Sequence, residues 1–151
     1  MCNEHRSHDD LYDYLEDLDI RGLLKDDRTL RRFITGCCRL LWHELAPEVC
    51  EALELAECFI EDRTLHLTKM RVTLWHMADQ FERALREDTA DARVRVQWAA
   101  TRAVICCLYE RFDDSGDPYM TVDLVIDFCN IAVEQYQDQY AFLQELYGTR
   151  Q

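Results

Sequence analysis

The sequence predicts an all-α protein, a single-domain bundle of about six helices around one buried central helix. Three observations carry this. Apolar residues recur with a 3.6-residue period in segment after segment. Only four Gly and two Pro interrupt 151 residues, far fewer turn residues than an all-β fold needs. The stretch Gln97–Phe112 is apolar on nearly every side of a would-be helix, through Ala99, Ala100, Ala103, Val104, Ile105 and Leu108. A helix apolar all round belongs at the centre of its domain, so 92–112 is the expected central helix.

Length and composition agree. A chain of 151 residues with 48% apolar and 31% charged residues is of ordinary one-domain size and can bury a core of its own. Seventeen basic residues against thirty acidic ones leave a net charge of −13. Such a surface repels phosphate backbones, so nucleic acid is excluded as the expected partner. No apolar run approaches the ~18 residues of a membrane span, and the acidic start does not read as a signal or transit peptide. A cytoplasmic location is expected, with no membrane partner.

Residues 1–27 form an acidic segment with nine Asp and Glu. Within it Leu11, Tyr14, Leu15 and Leu18 fall at i, i+3, i+4 and i+7, the inner face of a short helix with Asp9 as N-cap and Gly22 as stop. The bundle domain then spans 28–148. Its first helix is expected over 28–44, capped by Asp27, with Leu30, Phe33, Ile34, Cys37 and Leu41 inward. Gly36 inside it costs about 1 kcal/mol relative to Ala, which points to close contact with a neighbouring helix. Pro47 opens a helix over 47–60. Leu67, Met70, Leu74, Met77, Ala78, Phe81 and Leu85 stripe a helix over 65–87. The central helix follows, then an Asp/Ser/Gly/Pro loop at 113–119. A last long helix, capped by Thr121, runs over 122–147 and ends at Gly148.

One segment resembles a known group. Thr29–Glu57 carries Arg31-Arg32-Phe33, then Cys37-Cys38-Arg39, Trp42-His43 and Ala56-Glu57. It resembles an uncharacterised family of small helical proteins and modules common in planctomycete-type bacteria. Trp98-Ala99-Ala100 and the Leu143–Gly148 stretch are similar to later parts of that pattern, whereas the acidic residues 1–27 lie outside it. The resemblance implies a bacterial, helical protein and supplies no activity.

Eight cysteines without a secretion signal, most within apolar helical patterns, read as reduced core thiols. Neighbours in a helix project about 100° apart, so Cys37-Cys38 or Cys106-Cys107 cannot each grip one metal alone. Adjacent Cα atoms ~3.8 Å apart also disfavour a disulfide within either pair. The remaining option is tertiary, with one Cys of each pair meeting across the core as a metal or redox site. His43, near a helix end, reads as a cap for free carbonyls. His76 and Asp79, three apart, read as a solvated face, and His5 and His8 sit in an N-terminus expected to fray. The 113–119 loop departs from a calcium EF-hand, with Pro118 at position six and Leu124 at position twelve. Phosphate-loop, dinucleotide, nucleophile-elbow and zinc-protease patterns are absent from the sequence. No catalytic residue, metal ligand or cofactor is therefore expected. Tyr136, Tyr140 and Tyr147 are the candidate partner-binding residues. The expected function is a non-catalytic, acidic interaction or scaffold module that binds another protein or itself. The alternative is a thiol-based metal or redox sensor built on the paired cysteines.

Overall fold

The computed structural model describes residues 2–87, 91–112 and 117–148, with side chains from Ser7 onward. Seven helices occupy them: α1 (Cys2–Ile20), α2 (Asp27–Arg39), α3 (Pro47–Glu61), α4 (Thr68–Leu85), α5 (Ala92–Cys106), α6 (Pro118–Ala132) and α7 (Tyr136–Tyr147). Short 3₁₀ turns at Leu23–Lys25 and Trp42–Glu44 follow α1 and α2, and no strand occurs among the described residues.

In α1 the four spaced residues Leu11, Tyr14, Leu15 and Leu18 are all buried, in the same core as the rest of the bundle. The helix starts well before Asp9, because nothing from Cys2 to His8 breaks it. Gly22, at φ 75°, closes it. The cap of α2 is Asp26 rather than Asp27. The Asp26 carboxylate accepts from the Thr29 hydroxyl at 2.8 Å, which leaves Asp27 in the first turn. This helix also ends earlier than its apolar pattern suggests. Pro47 holds Ala46 extended, and the chain tightens into the Trp42–Glu44 turn before it.

The centre of the bundle is shared. The second half of α5 is buried through Ala99, Ala100, Ala103, Val104 and Ile105, flanked by α4 and α6. Across from it lies α2, which packs on α3, α5, α6 and α7. The apolar run of α5 continues past Cys106, but the helix does not. Arg31, only 1% exposed, donates to the carbonyls of Tyr109 and Glu110 at 2.7 and 3.0 Å. Arg71 donates to the carbonyl of Leu108 at 2.6 Å. Two arginines from distant helices thus take the backbone oxygens that a longer helix would use. The Arg31 guanidinium lies between the Phe59 and Phe112 rings and pairs with Asp27, so its buried charge is compensated.

The long last helix is two helices. Asp117, not Thr121, caps α6, accepting from the Met120 N–H at 2.7 Å, and Thr121 is buried in the first turn. At 133–135 the chain turns, held by amides. The Asn130 Nδ2 donates to Gln139 Oε1, Gln139 Nε2 to Gln135 Oε1, and the Gln135 N–H to Asn130 Oδ1. Gln139 is fully buried, and this network satisfies it.

Candidate functional site

A groove of about 670 Å³ with a largely apolar lining opens between α2, α3 and α7. Two helices face each other across it with the same spacing. From α2 come Arg32, Thr35, Gly36, Arg39 and Leu40; from α7 come Asp138, Ala141, Phe142, Glu145 and Leu146. Each set is i, i+3, i+4, i+7 with one further step, so each is a second helical face beside the one that enters the core. Gly36 sets the approach. A Cβ there would overlap the Phe142 ring, which lies against the α2 backbone and stacks on Phe33 at 5.9 Å. Leu40 is 51% exposed on the groove wall, and Ile60 of α3 closes the end.

The two rims differ electrically. On the α2 side Arg39 grips Glu57 through two hydrogen bonds of 2.7 and 3.2 Å. Arg32 and Arg28 share Glu61 at 3.4 and 2.6 Å, and Arg28 above all holds that carboxyl below the usual range. On the α7 side Asp138 and Glu145 are exposed and meet no cation among the described residues. The groove is therefore an apolar floor with one mixed-charge rim, three arginines against two glutamates, and one negative rim.

The tyrosines proposed as partner contacts are not part of it. At about 100° per residue, Tyr136, Tyr140 and Tyr147 share a face of α7 with buried Leu143, opposite the groove residues. Tyr140 packs edge-on against Tyr14 at 6.1 Å, and Tyr136 against His8 at 5.0 Å. The Tyr147 hydroxyl is buried without a hydrogen-bond partner, and burial pushes that phenol well up. All three are half-buried, Tyr136 and Tyr140 against side chains of α1.

The paired cysteines do meet, one from each pair. Cys38 and Cys107, 69 residues apart, place their sulfurs 3.7 Å from each other, and the Cys129 thiol also reaches Cys38. Cys37, Cys38, Cys107 and Cys129 are fully buried. Burial drives the Cys37 thiol far above its ordinary range and Cys106 to about 12, while the Cys38 contact and then burial raise Cys107. At neutral pH these are thiols, and the thiolate that redox chemistry or metal ligation requires is disfavoured. No group of three His, Cys, Asp or Glu side chains is arranged to hold a metal among the described residues.

His43 is exposed in the Trp42–Glu44 turn, and His76 and Asp79 are exposed on α4. The side chain of His5 and residues 113–116 of the acidic loop lie outside the described residues. Two clusters had no sequence signal. The Tyr12 hydroxyl lies 2.8 Å from Asp123 and 2.9 Å from Asp127, joining α1 to α6. Arg102 sits among the rings of Trp75, Phe128 and Trp98, at 4.7, 4.8 and 6.0 Å. Both assemble residues far apart in the chain.

No helix among the described residues is long and apolar enough to cross a membrane. Compared with protein-family models, curated proteins and solved structures, the chain matches none.

Proposed function

We propose that this chain is a non-catalytic helical interaction module that docks a partner protein in the α2–α3–α7 groove. The observation that carries the reading is the groove itself. It has an apolar floor opened by Gly36, an exposed Leu40, and two carboxylates whose charge nothing among the described residues answers. Enclosed apolar area flanked by unanswered charge is what a specific protein interface uses for affinity and for orientation. The site belongs to the bundle as folded, since α2 and α7 are both pinned by core contacts on their opposite faces.

The test is capture from a native lysate by the immobilised chain and by a Leu40→Asp, Ala141→Asp variant. Both positions are exposed, so the variant keeps its fold, as circular dichroism checks. Wild type retains a set of proteins that high salt releases, and the variant loses that set. Retention of the same proteins by both would move the binding surface elsewhere.

The 3.7 Å approach of Cys38 and Cys107 supports a second reading, a contact between α2 and α5 that responds to oxidation. It ranks lower because both sulfurs are closed off from solvent.

A further inference from the structure

We infer that the occupant of the α2–α3–α7 groove is an amphipathic helix of a partner protein, with an apolar stripe flanked by Lys or Arg about two turns apart. The inference rests on the docking role proposed for the groove and specifies what docks. Its first support is charge. Asp138 and Glu145 stand seven residues apart on the same face of α7, which separates them by roughly 10 Å along the helix. Across the groove Arg39 is held by Glu57 while Arg28 and Arg32 share Glu61, so each of those glutamates has a cation, and the groove-lining carboxylates without one among the described residues are the two on α7. A partner helix laid along the groove matches them with two cations at i and i+7, since its own pitch repeats at that interval.

Backbone chemistry supplies the second support. An extended peptide in a groove leaves its N–H and C=O groups unpaired unless a sheet edge receives them, and no strand exists among the described residues. A helix arrives with its backbone satisfied and presents only side chains. The floor formed by Gly36, Leu40, Ala141 and Phe142 meets side chains spaced i, i+3, i+4, i+7, the period that both walls already have.

A second copy of this chain fits poorly. Each copy carries −13, and the exposed apolar residues that share one helix, Met120, Leu124 and Ile131 of α6, lie beside Asp123 and Asp127, while Ile20 and Val72 stand singly on α1 and α4. Acid would face acid.

The test uses fluorescein-labelled synthetic helical peptides and the full chain, read by anisotropy. One peptide has Leu at i, i+3, i+4, i+7 flanked by Lys; a second replaces those Lys with Glu; a third scrambles the first. The Lys peptide binds wild type, and the Glu and scrambled peptides do not. Asp138→Lys with Glu145→Lys weakens the Lys peptide about tenfold and admits the Glu peptide. Asp79→Lys with Glu87→Lys, the same charge change on exposed positions away from the groove, leaves binding within about threefold. Equal weakening by the two pairs reduces the effect to bulk attraction and overturns the inference. Failure of wild type to bind the Lys peptide, while lysate capture still depends on Leu40 and Ala141, also overturns it and leaves the docking role standing. Loss of both dependences removes the docking role as well.

Discussion

Replacing Asp127 with Asn is predicted to stabilise the protein at neutral pH and to do so less and less as pH falls. Tyr12 has one hydroxyl proton and two carboxylate oxygens within 2.9 Å, Asp123 Oδ1 and Asp127 Oδ1. With both carboxylates ionised, only one accepts that proton, and the other faces an oxygen lone pair and a like charge one helical turn away. Burial, opposed by the Tyr12 hydrogen bond and reinforced by Asp123, raises the Asp127 carboxyl above its ordinary range. His8 of α1, whose ring lies 4.7 Å from that of Tyr12, pulls it the other way. Glu134 and Tyr136 adjoin Asp127, and on the Asp123 side stand Tyr119, Glu16 and Asp19. An acid with a raised folded-state pKa binds a proton more readily folded than unfolded. Its cost is absent below the unfolded value of about 4 and complete above the folded value, so stability falls as pH rises through that window. The carboxamide of the Asp127→Asn variant would supply an N–H to the Tyr12 oxygen and remove the repulsion. One neutral hydrogen bond is worth about 1 kcal/mol, and Asp127 is exposed, so about 0.5 kcal/mol remains after solvent screening. In a chain of this size that raises Tm by about 1–2 °C. Thermal unfolding of Asp127→Asn and wild type from pH 4 to pH 7 measures it: the Tm difference should grow with pH. In a Tyr12→Phe background the gain should disappear. A gain that is constant with pH, or one that survives without the Tyr12 hydroxyl, refutes proton sharing at this corner.

Two further outcomes are expected. Gly36→Ala gains up to about 1 kcal/mol of helix propensity, but the new methyl overlaps the Phe142 ring and overpacking costs about 1–3 kcal/mol. The variant should therefore be less stable by about 1 kcal/mol in denaturant unfolding and weaker for the Lys peptide; a stabilised variant would show that α7 yields freely. Alkylation of the native chain with iodoacetamide, mapped by mass spectrometry, should among the described side chains label exposed Cys58 first and spare Cys37, Cys38, Cys107 and Cys129 until unfolding. A Cys38–Cys107 disulfide formed in the folded protein under mild peroxide would instead favour the oxidation-responsive reading.

What the sequence makes legible is set by how local its cause is. The inward face of α1 follows from spacing alone, because a helix in water must bury one stripe. The start of α3 follows from Pro47, and the need for a close neighbour at Gly36 from the cost of glycine in a helix. The end of α5 does not follow, because its cause is elsewhere: Arg31 and Arg71 come from other helices to take the carbonyls of Leu108, Tyr109 and Glu110, just past its end. The break between α6 and α7 is hidden for the same reason. Ala132–Gln135 contains neither Gly nor Pro, and the amides of Asn130, Gln135 and Gln139 hold the turn only once both helices are in place.

The break between α6 and α7 also bears on which face α7 presents. Within one helix over 122–147, Tyr136, Tyr140 and Tyr147 are partner candidates only because tyrosine is enriched at protein interfaces. Once α7 is a separate helix, its phase must be decided by its own residues. Leu143 is its fully buried apolar side chain, and Tyr136, Tyr140 and Tyr147 lie within about 60° of it around the axis. The tyrosine face therefore faces α1. The opposite face, bearing Asp138, Ala141, Phe142 and Glu145, is left against the one stretch of α2 that Gly36 strips of a side chain. Charged residues with small and aromatic ones between them look like an ordinary solvated surface when read in sequence. Only the approach of a second helix turns that surface into the wall of a groove, which is why the candidate site is visible in the fold and not in the spacing of α7.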